Sequence, residues 1–120
     1  MKILVVDDDD DLNRLLSRYL EKHGYEVHSA GDALQALDVL TRVEGFGLVI
    51  VDLMMPYMDG ISFTEHLKAD PRHKDTAVIM MSAYPDDKKI DQGMRKGVAF
   101  FLPKPIELDR LLTLVKFSEG

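Results

Sequence analysis

The sequence predicts an α/β protein: a doubly wound, five-stranded parallel sheet with helices on both faces. Five short apolar runs alternate with five stretches of helical spacing, an order that buries a parallel sheet between helices through right-handed crossovers. The central run, Leu48-Val49-Ile50-Val51-Asp52, is apolar without alternation, as in a strand covered on both faces. Four of the strands also deliver polar groups to one sheet edge: Asp7 and Asp8, Asp52, Ser82, and Lys104.

Taken in order, Lys2 to Val6 reads as the first strand and runs into five consecutive aspartates, Asp7 to Asp11. Leu12, Leu15, Leu16, Tyr19 and Leu20 follow at helical spacing, so Asp9 to Asp11 are expected in the first turn. Acids there complement the positive helix end, at ~0.3–1 kcal/mol each. That explanation does not need Asp7 and Asp8, which belong to the strand edge. Gly24 is the expected C′ residue, and Tyr25 to Ala30 the second strand. Gly31-Asp32 opens a second helix that buries Ala33, Ala36, Leu37 and Leu40, and Gly45 and Gly47 bracket the loop into the third strand, Leu48 to Asp52.

Pro56 and Asp59-Gly60 then force a loop. Asp59 is the expected cap of a third helix carrying Ile61, Phe63, Thr64 and Leu67, which Asp70-Pro71 ends because a residue before proline avoids the α region. Ala77 to Ser82 is the fourth strand. Asp86-Asp87, Ile90 and Met94 mark a fourth helix that stops near Gly97. Val98 to Leu102 is the fifth strand, closed by Pro103-Lys104-Pro105, and Leu108, Leu111, Leu112 and Val115 make the last helix.

A chain of 120 residues is expected to form one domain, residues 1–120, burying roughly two-thirds of its unfolded surface. No apolar run approaches the ~20 residues of a membrane span, and a signal-peptide pattern is missing, so a cytoplasmic protein without membrane contact is expected. With no cysteine there is neither a disulfide framework nor a thiolate site. A formal charge of −6 argues against direct nucleic-acid binding and suits a protein that gathers cations.

In an open α/β sheet, ligands bind at the carboxyl ends of the strands, where Asp52 stands. By itself Asp52 is as well read as a cap of the following turn. Its company changes that. Three carboxylates within about 4 Å of one another repel by ~4 kcal/mol per pair at an effective dielectric of about 20. Protons or a cation must neutralise them. All-oxygen donors with room for water point to Mg²⁺, or a similar hard ion such as Mn²⁺, rather than zinc. His23, His28, His66 and His73 form no competing cluster and read as surface or packing residues. A hard ion beside a lone carboxylate, with an ammonium and a hydroxyl opposite, suits phosphoryl transfer. Asp52 is the candidate nucleophile, since there is no cysteine and Ser82 has no adjacent histidine base.

Over nearly its whole length the sequence resembles the receiver domains of bacterial two-component response regulators. The resemblance rests on four motifs in matching order and spacing: Ile3-Leu4-Val5-Val6-Asp7-Asp8, Asp52-x-x-x-Pro56 with Asp59-Gly60, Ser82-Ala83, and Lys104-Pro105. It implies the strand order 2-1-3-4-5. Asp52 would be the phosphoacceptor and Asp8 a direct metal ligand, with Asp7 acting mainly through water and the main-chain carbonyl of Met54 completing the protein ligands. Ser82 would be the switch hydroxyl, Lys104 the phosphate-binding lysine, and Phe101 the rotating aromatic. Pro105 would follow a cis bond that aims the Lys104 ammonium inward. The implied partners are a histidine kinase or phosphotransfer protein, and a downstream protein or fused effector domain reading the face of the fourth helix, fifth strand and fifth helix. A homodimer through the last helix region is a further expectation.

The chain departs from the commonest family pattern at Met54 and Tyr84, two residues past Asp52 and Ser82, where neither side chain positions water well. Slow self-dephosphorylation is therefore expected. Phe101 lacks the hydroxyl of a tyrosine, so packing must hold its inward state. Pro103 removes a donor at the end of the fifth strand. Two other readings are weighed: an aspartate-nucleophile phosphatase of the haloacid dehalogenase type, and a degenerate receiver that only docks partners. The phosphatase resemblance wants a second aspartate where this chain has Met54, together with a cap domain.

Overall fold

The computed structural model describes residues 1–84 and 86–120. The strands are β1 (Lys2–Val6), β2 (Glu26–Ala30), β3 (Phe46–Asp52), β4 (Ala77–Ser82) and β5 (Phe100–Pro103). They alternate with the helices α1 (Asp10–Lys22), α2 (Ala33–Arg42), α3 (Gly60–Ala69), α4 (Asp87–Lys96) and α5 (Leu108–Ser118), and a 3₁₀ turn at Pro71–His73 follows α3. All strand pairs are parallel, in the order β2-β1-β3-β4-β5.

Strand side chains alternate between two apolar layers. Leu4, Val6, Val49, Val51, Val78 and Met80 face Ala33, Ala36 and Leu40 of α2 and Phe63 and Leu67 of α3. Ile3, Val5, Leu48, Ile50, Ile79 and Met81 face Leu16 and Leu20 of α1 and Leu111 and Val115 of α5. Both faces of β1, β3 and β4 are thus covered, which is why their sequences need no polar alternation.

Several boundaries differ from the sequence expectations for identifiable reasons. Asp9 lies outside the first turn of α1 as its N-cap, its carboxylate accepting the Leu12 amide at 3.1 Å. Leu15 is half exposed, and Asn13 takes a buried place on the inner face. The Tyr25 amide is used by the carbonyl of Leu20 as α1 closes, so β2 begins at Glu26. Gly47 lies inside β3: Lys2 pairs with Phe46 and Ile3 with Leu48, leaving the glycine in a register shift. In α4 it is Gly93 that is buried, while Met94 is about half exposed. The Val98 amide bonds back to Gly93 and only the Ala99 amide reaches Val78, so β5 starts late. Pro103 pairs with Ser82 as the last residue of β5, one beyond the expected end, because an edge strand tolerates a missing donor.

Register fixes the functional edge. Val6 pairs with Val51, so Asp7 emerges beside Asp52. Asp52 pairs with Met81, placing Ser82 one step further along the neighbouring strand. Ser82 pairs with Pro103 and its carbonyl accepts the Lys104 amide at 2.9 Å. At the β3–α3 junction, the Gly60 amide bonds to the carbonyl of Leu53 at 2.8 Å, and Asp59 caps α3 through the Ser62 amide. A Cβ on Gly60 would lie 2.6 Å from the Asp52 carbonyl oxygen and 3.0 Å from Leu53 Cα, both backbone atoms that cannot step aside. Gly60→Ala should therefore destabilise the protein by about 1–3 kcal/mol in urea unfolding, the usual range for overpacking. An unchanged midpoint would show that the junction is looser than this.

Candidate functional site

Carboxylate oxygens of Asp7, Asp8 and Asp52 lie within 4.8 Å of one another at the carboxyl ends of β1 and β3. Asp7 and Asp52 are buried and Asp8 is exposed, so the group opens to solvent on one side. The Lys104 ammonium reaches across from the end of β5, 3.0 Å from Asp7 Oδ2 and 3.2 Å from Asp52 Oδ2. The second oxygen of Asp7 accepts the Asp9 amide at 2.8 Å. The Lys104–Pro105 peptide bond is cis. Among the described residues no histidine joins this group; His73 is buried elsewhere, and its Nε2 has no partner.

The Response regulator receiver domain family model matches residues 3–116. The chain belongs to that family. The receiver is 33% identical over 115 residues to the transcriptional regulatory protein SrrA of Staphylococcus aureus, covering 96% of this chain and 46% of that protein. It thus spans about half the length of the curated relatives it matches. Among solved structures it superposes on the chemotaxis response regulator CheY4 of Vibrio cholerae with a TM-score of 0.91 and 29% identity, over 98% of this chain and 97% of the other. A response regulator receiver protein from Pseudomonas putida gives a TM-score of 0.90 at 32% identity, over 97% and 95% of the two chains. The fold, strand order and family expected from the sequence are therefore correct, and nothing favours the phosphatase reading.

In this receiver the donor set fits a hard divalent cation: three carboxylates, all oxygen, one of them exposed so that water can complete the coordination. Burial, and then the charge of Asp7, push the Asp52 carboxyl above its ordinary range, partly opposed by Lys104 and the Met54 amide. For Lys104, burial works to lower the pKa, but its hydrogen bond to Asp7 and the charges of Asp52 and Asp7 outweigh burial and raise it. The ammonium is therefore held charged between two carboxylates that could not comfortably share the site without it.

The other expected residues lie around this group. Ser82 is buried and accepts the Tyr84 amide at 3.2 Å; among the described residues its hydroxyl is not bonded to the carboxylates. The side chains of Met54 and Tyr84 are exposed, at 68% and 86%. Each can thus sit at the mouth of the site without filling it. Phe101 is half-buried and its ring occupies the notch left by Gly93 of α4, where a Cβ would come within 2.5 Å of Phe101 Cζ. Asp59 and Gly60 act at one remove, by starting α3 against the backbone of Asp52. Pro105 is exposed beyond the cis bond.

Two contributors escaped the sequence reading, Gly93 and Asn13. Gly93 is an interior helix residue whose importance is the volume it lacks. Asn13 carried only the weak signal of a polar residue among the leucines of α1.

A raised carboxyl pKa in the folded state means that folding favours protonated Asp52. Its contribution to stability is complete below the unfolded carboxylate range and lost as pH rises through the folded value. In EDTA at neutral pH, Asp52→Asn should therefore unfold at a higher temperature than wild type. The difference should close as pH falls through the raised Asp52 range. A difference independent of pH would show that charge is not its cause.

Proposed function

We propose that Asp52 of this receiver accepts a phosphoryl group from a histidine kinase or phosphotransfer protein. The observation that carries this reading is the buried Asp7–Lys104–Asp52 bridge beside exposed Asp8. An oxygen of Asp52 attacks the phosphorus of the donor phosphohistidine; the O–P bond forms as the P–N bond breaks, and the imidazole leaves with its electron pair and takes up a proton. Asp7, Asp8, Asp52 and the Met54 carbonyl would hold Mg²⁺ or Mn²⁺, which when bound neutralises the non-bridging oxygens of the transferring group. Lys104 exchanges its carboxylate contact for a phosphoryl oxygen and stabilises the same charge from the other side. Asp7 keeps the ammonium aimed during that exchange.

The new charge on Asp52 draws the Ser82 hydroxyl away from the Tyr84 amide toward the phosphate. Phe101 then turns into the space Ser82 vacates, which biases a two-state equilibrium and reshapes the α4–β5–α5 face. A downstream protein or a fused effector domain reads that face. SrrA is a transcriptional regulatory protein of which this chain matches about half the length, which supports an effector of that kind. Residues 1–120 act as one receiver unit in the cytoplasm, in keeping with a structure in which no described helix is long and apolar enough to cross a membrane. Its charge of −6 keeps it from binding nucleic acid directly, and the last helix region offers a route to a homodimer.

Incubation with a small acyl phosphate and Mg²⁺ should add one phosphoryl group, seen by intact mass. Asp52→Asn should abolish the label and Lys104→Ala should greatly slow its appearance. Unlabelled wild type, or labelling that survives Asp52→Asn, would leave only a docking role. Because neither Met54 nor Tyr84 orients an attacking water, the label should persist for many minutes or longer once the donor is removed. A lifetime of seconds would refute that reading of the two positions.

A further inference from the structure

We propose that Asn13 is a positioning residue for the acidic pair Asp7-Asp8, and through it for the metal; this rests on the metal-site reading above. Where β1 ends, the Asp7 carbonyl has left the ladder, and the Ala30 carbonyl at the end of β2 keeps only the bond from the Asp7 amide. Both are met by one side chain. Asn13 Nδ2 donates to Asp7 O at 3.1 Å and to Ala30 O at 2.9 Å. The Asp7 amide donates to the same Ala30 carbonyl at 3.2 Å. Ser17 Oγ donates to Asn13 Oδ1 at 3.4 Å, so the amide is oriented from the next turn of its own helix. Asn13 is 7% exposed and Asp7 0%, so water is a poor substitute for these bonds.

Asp7 is thereby fixed at every polar atom. Its amide is held by Ala30, its carbonyl by Asn13, one carboxylate oxygen by the Asp9 amide and the other by Lys104. The neighbouring Asp8 has no bond of this kind among the described residues and projects into solvent. Its direction is set by the peptide that Asn13 holds. Supporting groups behind metal ligands commonly change affinity by about 10–100-fold when removed. Asn13 has the geometry of such a group, acting from α1 on the backbone and not on the ion.

The experiment is calorimetric titration of the unphosphorylated full chain with Mg²⁺ alone, well below the unfolding temperature, in wild type, Asn13→Ala and Asn13→Leu. Asn13→Leu keeps the inner face of α1 filled, guarding against simple misfolding. Thr76→Ala serves as control, since it removes a comparably buried hydrogen bond, to the Phe46 carbonyl at 3.1 Å, near the opposite sheet edge. Both Asn13 variants should bind Mg²⁺ about 10-fold or more weakly, and Thr76→Ala should match wild type. In metal-free protein, the Asp9 amide resonance should shift upfield in the Asn13 variants as its bond to Asp7 loosens, and stay in place in Thr76→Ala. Wild-type Mg²⁺ affinity in Asn13→Leu would overturn the role of Asn13 while leaving the metal site standing. Absence of Mg²⁺ binding by wild type would overturn both.

Discussion

The interaction on which the arrangement depends is the placement of one ammonium between two buried carboxylates. Asp7 and Asp52 leave adjacent central strands at the same level, and both are buried. Lys104 bridges them from β5, two strands away from β3. The bridge exists only because the registers of four strands agree: a one-residue slip in any of them turns its carboxylate or ammonium to the other face. The apolar layers above and below the sheet supply that agreement. Core packing and site chemistry are thus a single constraint, with the two-sided apolar strands holding the charges in place.

Buried charges held this way tend to be poised rather than stabilising. The environment lifts the Asp52 carboxyl above its usual range while holding Lys104 protonated. Such a group gains from any additional positive charge, or from conversion to a state whose charge sits further out on new oxygens. Exposed Asp8 leaves one side of the group open to solvent. Ser82 and Phe101 sit on the strands that complete the edge, where the proposed switch would act.

Much of this was legible in the sequence because four of the five strands announce their ends with a residue an apolar run would not otherwise carry. Asp7, Asp8, Asp52, Ser82 and Lys104 were all readable as one edge from the alternation alone. What stayed hidden depended on space and on backbone partners. Gly93 reads as an ordinary weak point of a helix, yet it holds the Phe101 ring. Asn13 takes the inner face of α1 while Leu15, expected there, is half exposed, because the Asn13 amide bonds to the carbonyls of Asp7 and Ala30. In the β3–α3 loop the left-handed residue is Tyr57, at φ 74°, whereas Gly60 is committed to close backbone approach. Asp59-Gly60 marks the turn but not which residue bends it.

The most direct test of the central claim, that the acidic edge is frustrated until a cation joins it, is the unfolding temperature of the unphosphorylated protein as Mg²⁺ is raised. A ligand that binds only the folded state stabilises it in a saturable way. Wild type should show such a rise, and Asp8→Ala and Asp52→Asn should lose most of it. No rise in wild type, or an equal rise in all three, would contradict the claim.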